Sequence, residues 1–221
     1  MNSRSLAYDV LSRLKNEILS LKYPPGAILR ERSLAQKYSV SRTPIREALQ
    51  CLAQDGWVNI NARRNVQVRL PSFEDMHSLF AARRALEIDV VEQIVTAGIS
   101  NELTQPLNEA IERMNAAKGD LFPFITQDQD FHSMFYYALN NRYMEKFWYS
   151  VSEDMIWFGM LAMDSERYDA VLLEHRKIVS ALERGCKRQI RQSVIEHLDI
   201  TEQMLTERCS KDAPMMRIGQ G

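Results

Sequence analysis

The sequence predicts a mainly α-helical protein in two parts. The first is a winged helix-turn-helix with a small β-hairpin wing, and the second is an all-α bundle of six antiparallel helices. Three observations lead there. Residues 31–49, ERSLAQKYSVSRTPIREAL, read as two short helices around a tight break. Val58 and Ile60, then Val66, Val68 and Leu70, alternate with polar residues on either side of a basic loop, the pattern of a hairpin. Beyond Pro71-Ser72 the apolar spacing is helical throughout, with no strand signal.

Taken in order, Leu6, Val10, Leu11, Leu14, Ile18 and Leu21 recur with a period near 3.6 and predict an amphipathic helix over about residues 5–21. Tyr23-Pro24-Pro25-Gly26 stops it, and Ala27–Arg30 can form a short extended piece. Leu34, Ala35 and Tyr38 follow an acidic start at Glu31 as the first helix of the pair. Val40 and Ser41 make the break. Thr43 stands where an N-cap hydroxyl belongs, with Pro44 at the first helical position, where a missing N–H costs nothing. Ile45, Ala48, Leu49 and Leu52 form one apolar stripe, leaving Arg42, Arg46 and Gln50 on other faces. Arginine suits the O6/N7 edge of guanine, while hydroxyls such as those of Ser41 and Thr43, and helix N-termini, suit phosphates. An ordinary helical hairpin with solvated arginines competes with this reading until the wing is added. Asp55-Gly56 ends the second helix, and the wing loop is Asn61-Ala62-Arg63-Arg64-Asn65. Its arginines, Arg63 and Arg64, could reach phosphates or the minor groove, and Asn65 tolerates a left-handed backbone.

Ser72 with Asp75 makes a capping box before a long helix. Breaks at Gly98-Ile99-Ser100, Gly119-Asp120, Asn140-Asn141, Met163-Asp164-Ser165 and Gly185 predict helices over roughly 73–97, 101–118, 121–139, 142–162, 165–184 and 187–208. Domains of 1–70 and 71–208 follow, with a flexible tail at 209–221. Charge divides at the same place. Residues 1–70 carry 12 Lys/Arg against 5 Asp/Glu, and the remainder 16 against 24, so a basic first part precedes an acidic second. One part is suited to a polyanion and the other is not. No apolar run approaches the ~20 residues of a membrane span, and residues 1–10 lack a signal-peptide core. Cys51, Cys186 and Cys209 are an odd number without a CxxC, which points to a reducing cytoplasm.

Of four histidines, three fall beside apolar helical positions: His132, His175 and His197. Asp128 lies four residues before His132 and shares its face. One carboxylate and three imidazoles directed inward from three helices would suit a mononuclear divalent metal. Zinc comes first, with nickel, manganese or iron as alternatives, although a lone core histidine is more often a packed residue than a ligand. His77 has no assigned role.

At this point the sequence resembles a GntR-family transcription regulator of the branch with a FadR-type C-terminal (FCD) helical domain, over about residues 6–205. The motifs that carry the resemblance are Pro25-Gly26, Leu29-Arg30-Glu31-Arg32-x-Leu34-Ala35, Val40–Leu49, Leu52 and Asp55-Gly56. In the second half they are Arg83–Glu87, Asp128-x₃-His132, Asn141, Glu174-His175 and His197. The resemblance implies that Arg32, Arg42 and Arg46 approach bases or phosphates. It places Asn65 where the family usually has a wing-tip glycine. It also implies that Asp128, His132, His175 and His197 hold a metal, and that Arg83 and Asn141 belong to a pocket for a small organic acid. Glu153 and Asp154 stand where many relatives carry basic residues, so effector chemistry is not simply transferable.

The expected function is therefore a ligand-responsive regulator, dimeric because two winged helices must occupy two half-sites of a double-stranded, pseudo-palindromic operator. The rival is a metal-dependent, hydrolase-like enzyme. Against it, Glu174 and Glu196 each directly precede a candidate ligand histidine, and on a helix they point roughly 100° away from it. A third reading is a purely structural metal.

Overall fold

The computed structural model describes residues 3–61 and 65–211. The chain divides into two compact units, Met1–Pro71 and Ser72–Gly221. In the first, α1 (Ser3–Leu19) packs on α3 (Arg42–Gln54), which follows α2 (Glu31–Tyr38). Val10, Leu14 and Ile18 of α1 meet Leu34, Ile45, Leu49 and Leu52 in a closed core, all buried. The helix ends earlier than its last apolar residue suggests, because Leu21 takes a left-handed backbone (φ 59°) that turns the chain out. The break between α2 and α3 turns on Ser39, also left-handed (φ 56°).

The start of α3 differs from expectation by two residues. The helix begins at Arg42, its N-cap is Ser41, and no side chain caps it. Pro44 is thus the third helical residue, still within the first turn, where its missing N–H leaves no hydrogen bond broken. Thr43 is an exposed first-turn residue, not a cap. The hairpin of β2 (Val58–Ile60) and β3 (Val66–Val68) is joined by a third strand, β1 (Ile28–Leu29), in the order β1-β3-β2, all antiparallel. The extended piece at 27–30 therefore closes the wing sheet. Gly56 carries a positive φ of 79° where α3 gives way to β2.

Glu17 ties α1 to α2, accepting hydrogen bonds from Lys37 Nζ at 2.6 Å and Tyr38 Oη at 2.7 Å. Burial alone would raise its pKa, but these donors outweigh it and hold the carboxyl below its usual 4.5. A carboxyl that binds its proton less tightly when folded stabilises above its unfolded pKa and loses that contribution as pH falls through the lowered one. Glu17→Gln is expected to cost the first unit about 1 kcal/mol near neutral pH, since Lys37 is partly solvated. Hydrogen exchange in α1 measures this. Wild type should lose the advantage below about pH 4.5, and equal protection in wild type and variant at neutral pH would remove Glu17 from the account.

The second unit holds α4 (Phe73–Ala97), α5 (Ser100–Ala116), α6 (Leu121–Ala138), α7 (Arg142–Ala162), a 3₁₀ turn (Ser165–Arg167), α8 (Tyr168–Glu183) and α9 (Lys187–Lys211). Ser72 caps α4 by accepting from the Asp75 amide at 3.0 Å, and Gly98 ends it in a left-handed conformation. The break at Met163-Asp164-Ser165 becomes the 3₁₀ turn, capped by Asp164 onto the Glu166 amide. The final helix continues to Lys211, into the stretch expected to be a tail, and the rest of that stretch lies outside the described residues. Phe80, Phe124, Phe131, Phe135 and Tyr136 are fully buried at the centre. Where α6 and α7 meet, a Cβ on Gly159 would lie 3.0 Å from Ile125 Cδ1, so the two helices approach through an absent methyl. No helix among the described residues is long and apolar enough to cross a membrane.

Candidate functional site

Asp128 and His132 on α6, His175 on α8 and His197 on α9 offer ligand atoms that all lie within 4.8 Å of one another. The three imidazoles are buried and Asp128 is half-buried. His132 Nε2 is 3.1 Å from His197 Nε2 and 3.2 Å from His175 Nε2, which in turn is 3.4 Å from Asp128 Oδ1.

The outer edges of the rings show how the cluster is oriented. His132 Nδ1 lies 2.6 Å from Glu87 Oε1, and His197 Nδ1 lies 2.9 Å from Glu174 Oε2. A carboxylate there accepts an N–H, so both rings carry their proton on Nδ1 and turn an Nε2 lone pair inward. Two lone pairs facing each other across 3.1 Å need a proton or a cation between them. Burial and the neighbouring positive groups hold the pKa of His132 below 6.5 and that of His175 well below it, which disfavours the proton. The donor set of three imidazoles and one carboxylate fits a first-row divalent ion.

A further layer fixes those carboxylates. Arg83 donates Nε to Glu87 Oε2 at 2.8 Å, with both side chains buried and the guanidinium 5.3 Å from the Trp148 ring centroid. Burial works against the Glu87 charge, yet Arg83 and His132 override it and hold its pKa at about 2. Arg167, in the 3₁₀ turn, grips Glu174 with two bonds of 2.7 Å. Gln129 donates to Asp128 Oδ2 at 2.7 Å. The sequence signals for this layer were faint. Glu87 shares a helix face with Arg83 at i,i+4, but its histidine partner is 45 residues away. Glu174 does point away from His175, and in doing so it reaches His197 on the next helix. Glu196 instead accepts from Gln192, away from the cluster.

Of the two residues assigned to an effector pocket by resemblance, Arg83 lines a cavity together with Asp128, Arg167 and His197. Asn141 does not. It is the N-cap of α7, and its side-chain oxygen accepts from the Tyr143 amide at 3.0 Å. His77 is half-exposed and lies 2.7 Å from Glu202 Oε1, which Arg84 also contacts.

In the first unit Arg32, Ser41, Arg42, Thr43 and Arg46 are all exposed. Arg46 is not free: its Nε makes bonds of 3.0 and 2.8 Å to the Glu31 carboxylate. Asn65 closes the wing loop with Asn61 through its backbone and is absent from the described non-glycine residues with positive φ, so the left-handed backbone expected there is not found. Arg63 and Arg64 lie outside the described residues.

The family model for bacterial regulatory proteins of the gntR family matches residues 6–68, and that for the FCD domain matches residues 78–200. The chain is 28% identical over 190 residues to the gluconate operon transcriptional repressor of Bacillus licheniformis, covering 82% of this chain and 77% of that one. It is 27% identical over 207 residues to the corresponding repressor of Bacillus subtilis, covering 90% and 84%. Among solved structures, a GntR transcriptional regulator from Rhodococcus sp. RHA1 superposes with a TM-score of 0.78 at 24% identity, covering 92% of this chain and 98% of that one. McbR/YncC of E. coli gives 0.77 at 20%, covering 91% and 97%. These two likenesses support the fold, and the matched families and curated relatives are transcription regulators rather than enzymes. A winged helix ahead of a helical unit with a buried histidine cluster, matched over both halves, places the chain in the GntR family of bacterial transcription regulators, in the branch that carries an FCD domain.

Proposed function

We propose that this regulator binds a pseudo-palindromic operator as a homodimer in the cytoplasm. In this reading Asp128, His132, His175 and His197 hold a divalent metal, zinc first, beside a site for a small carboxylate effector. The observation that carries the effector site is the convergence of four ligand atoms on one point, with Arg83 and Arg167 lining the adjoining cavity. When bound, the metal would supply a positive centre that favours an anionic ligand. The protein's own part is to hold the rings of His132 and His197 in the correct tautomer through Glu87 and Glu174, and to offer guanidinium groups to a carboxylate. Relatives that repress gluconate and D-xylose operons suggest repression relieved by a carbon-source metabolite.

On the DNA side, Arg32, Ser41, Arg42, Thr43, Arg46, Arg63, Arg64 and Asn65 are the proposed contacts, with the arginines of α3 reading bases and the others positioning the backbone. An effector changes operator affinity only by preferring one arrangement of the dimer over another. Arg83 sits on α4, the helix that directly follows the wing sequence, so it is the residue through which the two events would be linked. Coupling of about 1–3 kcal/mol is expected. The test titrates the DNA upstream of the protein's own gene, with and without a panel of acetate, 2-hydroxybutyrate and gluconate, in wild type and Arg83→Ala. Wild type should shift its affinity with at least one acid and R83A should not. A full response in R83A would make Arg83 a structural partner of Glu87 alone.

A further inference from the structure

The structure assigns to the cavity beside the histidines a preference for a short aliphatic 2-hydroxy acid, and discrimination against polyhydroxylated acids. This inference rests on the carboxylate-effector reading above. Three lining residues each hold one buried polar atom with no partner in the protein: Arg83 Nη2, Arg167 Nε and Gln129 Oε1. The side chains are 1%, 9% and 4% exposed. Two are donors and one is an acceptor. A carboxylate takes two donors, and a single hydroxyl satisfies one acceptor, so the unspent capacity matches an acid with one hydroxyl beside it. The amide end of Gln129 is already committed to Asp128, which fixes the carbonyl as the open end.

Away from Asp128 and His197, at the end of the cavity that meets the cluster, most of the remaining wall is apolar. Met155, Met163 and Met204 line it, with Val171 and Leu205. Thr201 also lines it, but its hydroxyl proton is given to the His197 carbonyl at 2.8 Å, leaving only an acceptor. A sugar acid carries several further hydroxyls into this wall, and each one buried without a partner weakens binding by about tenfold. The cavity is also narrow, about 30 Å³. A ligand must therefore be small, and the wall must yield to it, which thioether side chains with three rotatable bonds do more readily than branched ones. A short alkyl tail gains from that wall. The gluconate operon repressors similar to this chain thus do not predict its ligand.

The experiment is calorimetric titration of the full-length, zinc-loaded protein with butyrate, 2-hydroxybutyrate and gluconate, with metal content measured in parallel. 2-Hydroxybutyrate is expected to bind tightest, butyrate about tenfold weaker and gluconate at least about a hundredfold weaker. In Gln129→Met the ratio between 2-hydroxybutyrate and butyrate should collapse toward one while gluconate stays weak. Gluconate binding as tightly as 2-hydroxybutyrate overturns the inference and leaves the carboxylate reading standing. No acid binding to fully metallated protein overturns both, and a chain that takes up no metal is a separate failure of the metal reading. If the ratio survives in a folded Q129M, the hydroxyl is met elsewhere and the count of donors and acceptors is wrong. Should Q129M not fold, the ranking of the three acids in wild type still decides.

Discussion

Changing His175 to alanine is expected to strip the protein of its divalent ion, with metal affinity falling by well over a hundredfold, whereas His77→Ala should leave it unchanged. His175 is fully buried, with its Nε2 3.2 Å from His132 Nε2 and 3.4 Å from Asp128 Oδ1, so its removal deletes one of three converging imidazoles. Changing a residue that merely orients a ligand typically costs about 10–100-fold in affinity, and loss of the ligand itself costs more. His77 faces Glu202 at the surface, outside the cluster. Elemental analysis after dialysis reads the difference, and equal metal in the two variants would refute the assignment. Stability should follow occupancy. A ligand at a thousandfold excess over its Kd adds about 4 kcal/mol, so a chelator should lower the melting temperature of wild type and of H77A but not of H175A. Acid should also release the metal. Ligands must be neutral to bind, and burial keeps His132 and His175 neutral to below their ordinary 6.5, so proton competition from these two rings begins only under that pH.

The second large effect is expected at α3. Arg42→Ala and Arg46→Ala should each cost about 1–3 kcal/mol of discrimination between operator and unrelated DNA while the helical unit stays folded. Arg42 is exposed at the first helical position and has no hydrogen bond or ion pair with any of the described residues. Arg46 must first exchange Glu31 for its DNA partner, so its net contribution belongs at the lower end of the range. Operator binding should also fall steeply with salt, because phosphate contacts release counterions. Operator affinity equal to wild type in both variants would mean that α3 is not the recognition helix.

Much of this was legible in the sequence because the signals were local. Ser72 and Asp75 are three residues apart and cap α4; Gly98 and Gly56 end helices where they stand; Asp128 and His132 share a face at i,i+4. The errors were local too. Thr43 beside Pro44 made a good cap on paper, but Ser41 holds that place, because the left-handed Ser39 ends α2 early enough for α3 to begin at Arg42. What the sequence hid depends on helices meeting. Glu87 reaches His132 across 45 residues and Glu174 reaches His197 across 23, and no periodicity within one helix encodes either pair. Arg167 was invisible for a different reason: it lies in a turn read only as a break, and its buried guanidinium exists because Glu174 is there to receive it. Asn141 shows the reverse case. A residue matched by family pattern has its side-chain oxygen on the amide that starts α7.

The close approach at Gly159 separates two properties that usually change together. The Ile125 side chain that a new methyl would strike also lines the cavity beside the histidines, as does Gly159 itself. Substitutions at this one position would therefore alter the room in that cavity without touching Arg83, Gln129, Arg167 or any of the four clustered side chains. Under the proposed function, descendants of this chain could drift toward smaller or larger molecules in single steps, while the charge they recognise stays constant.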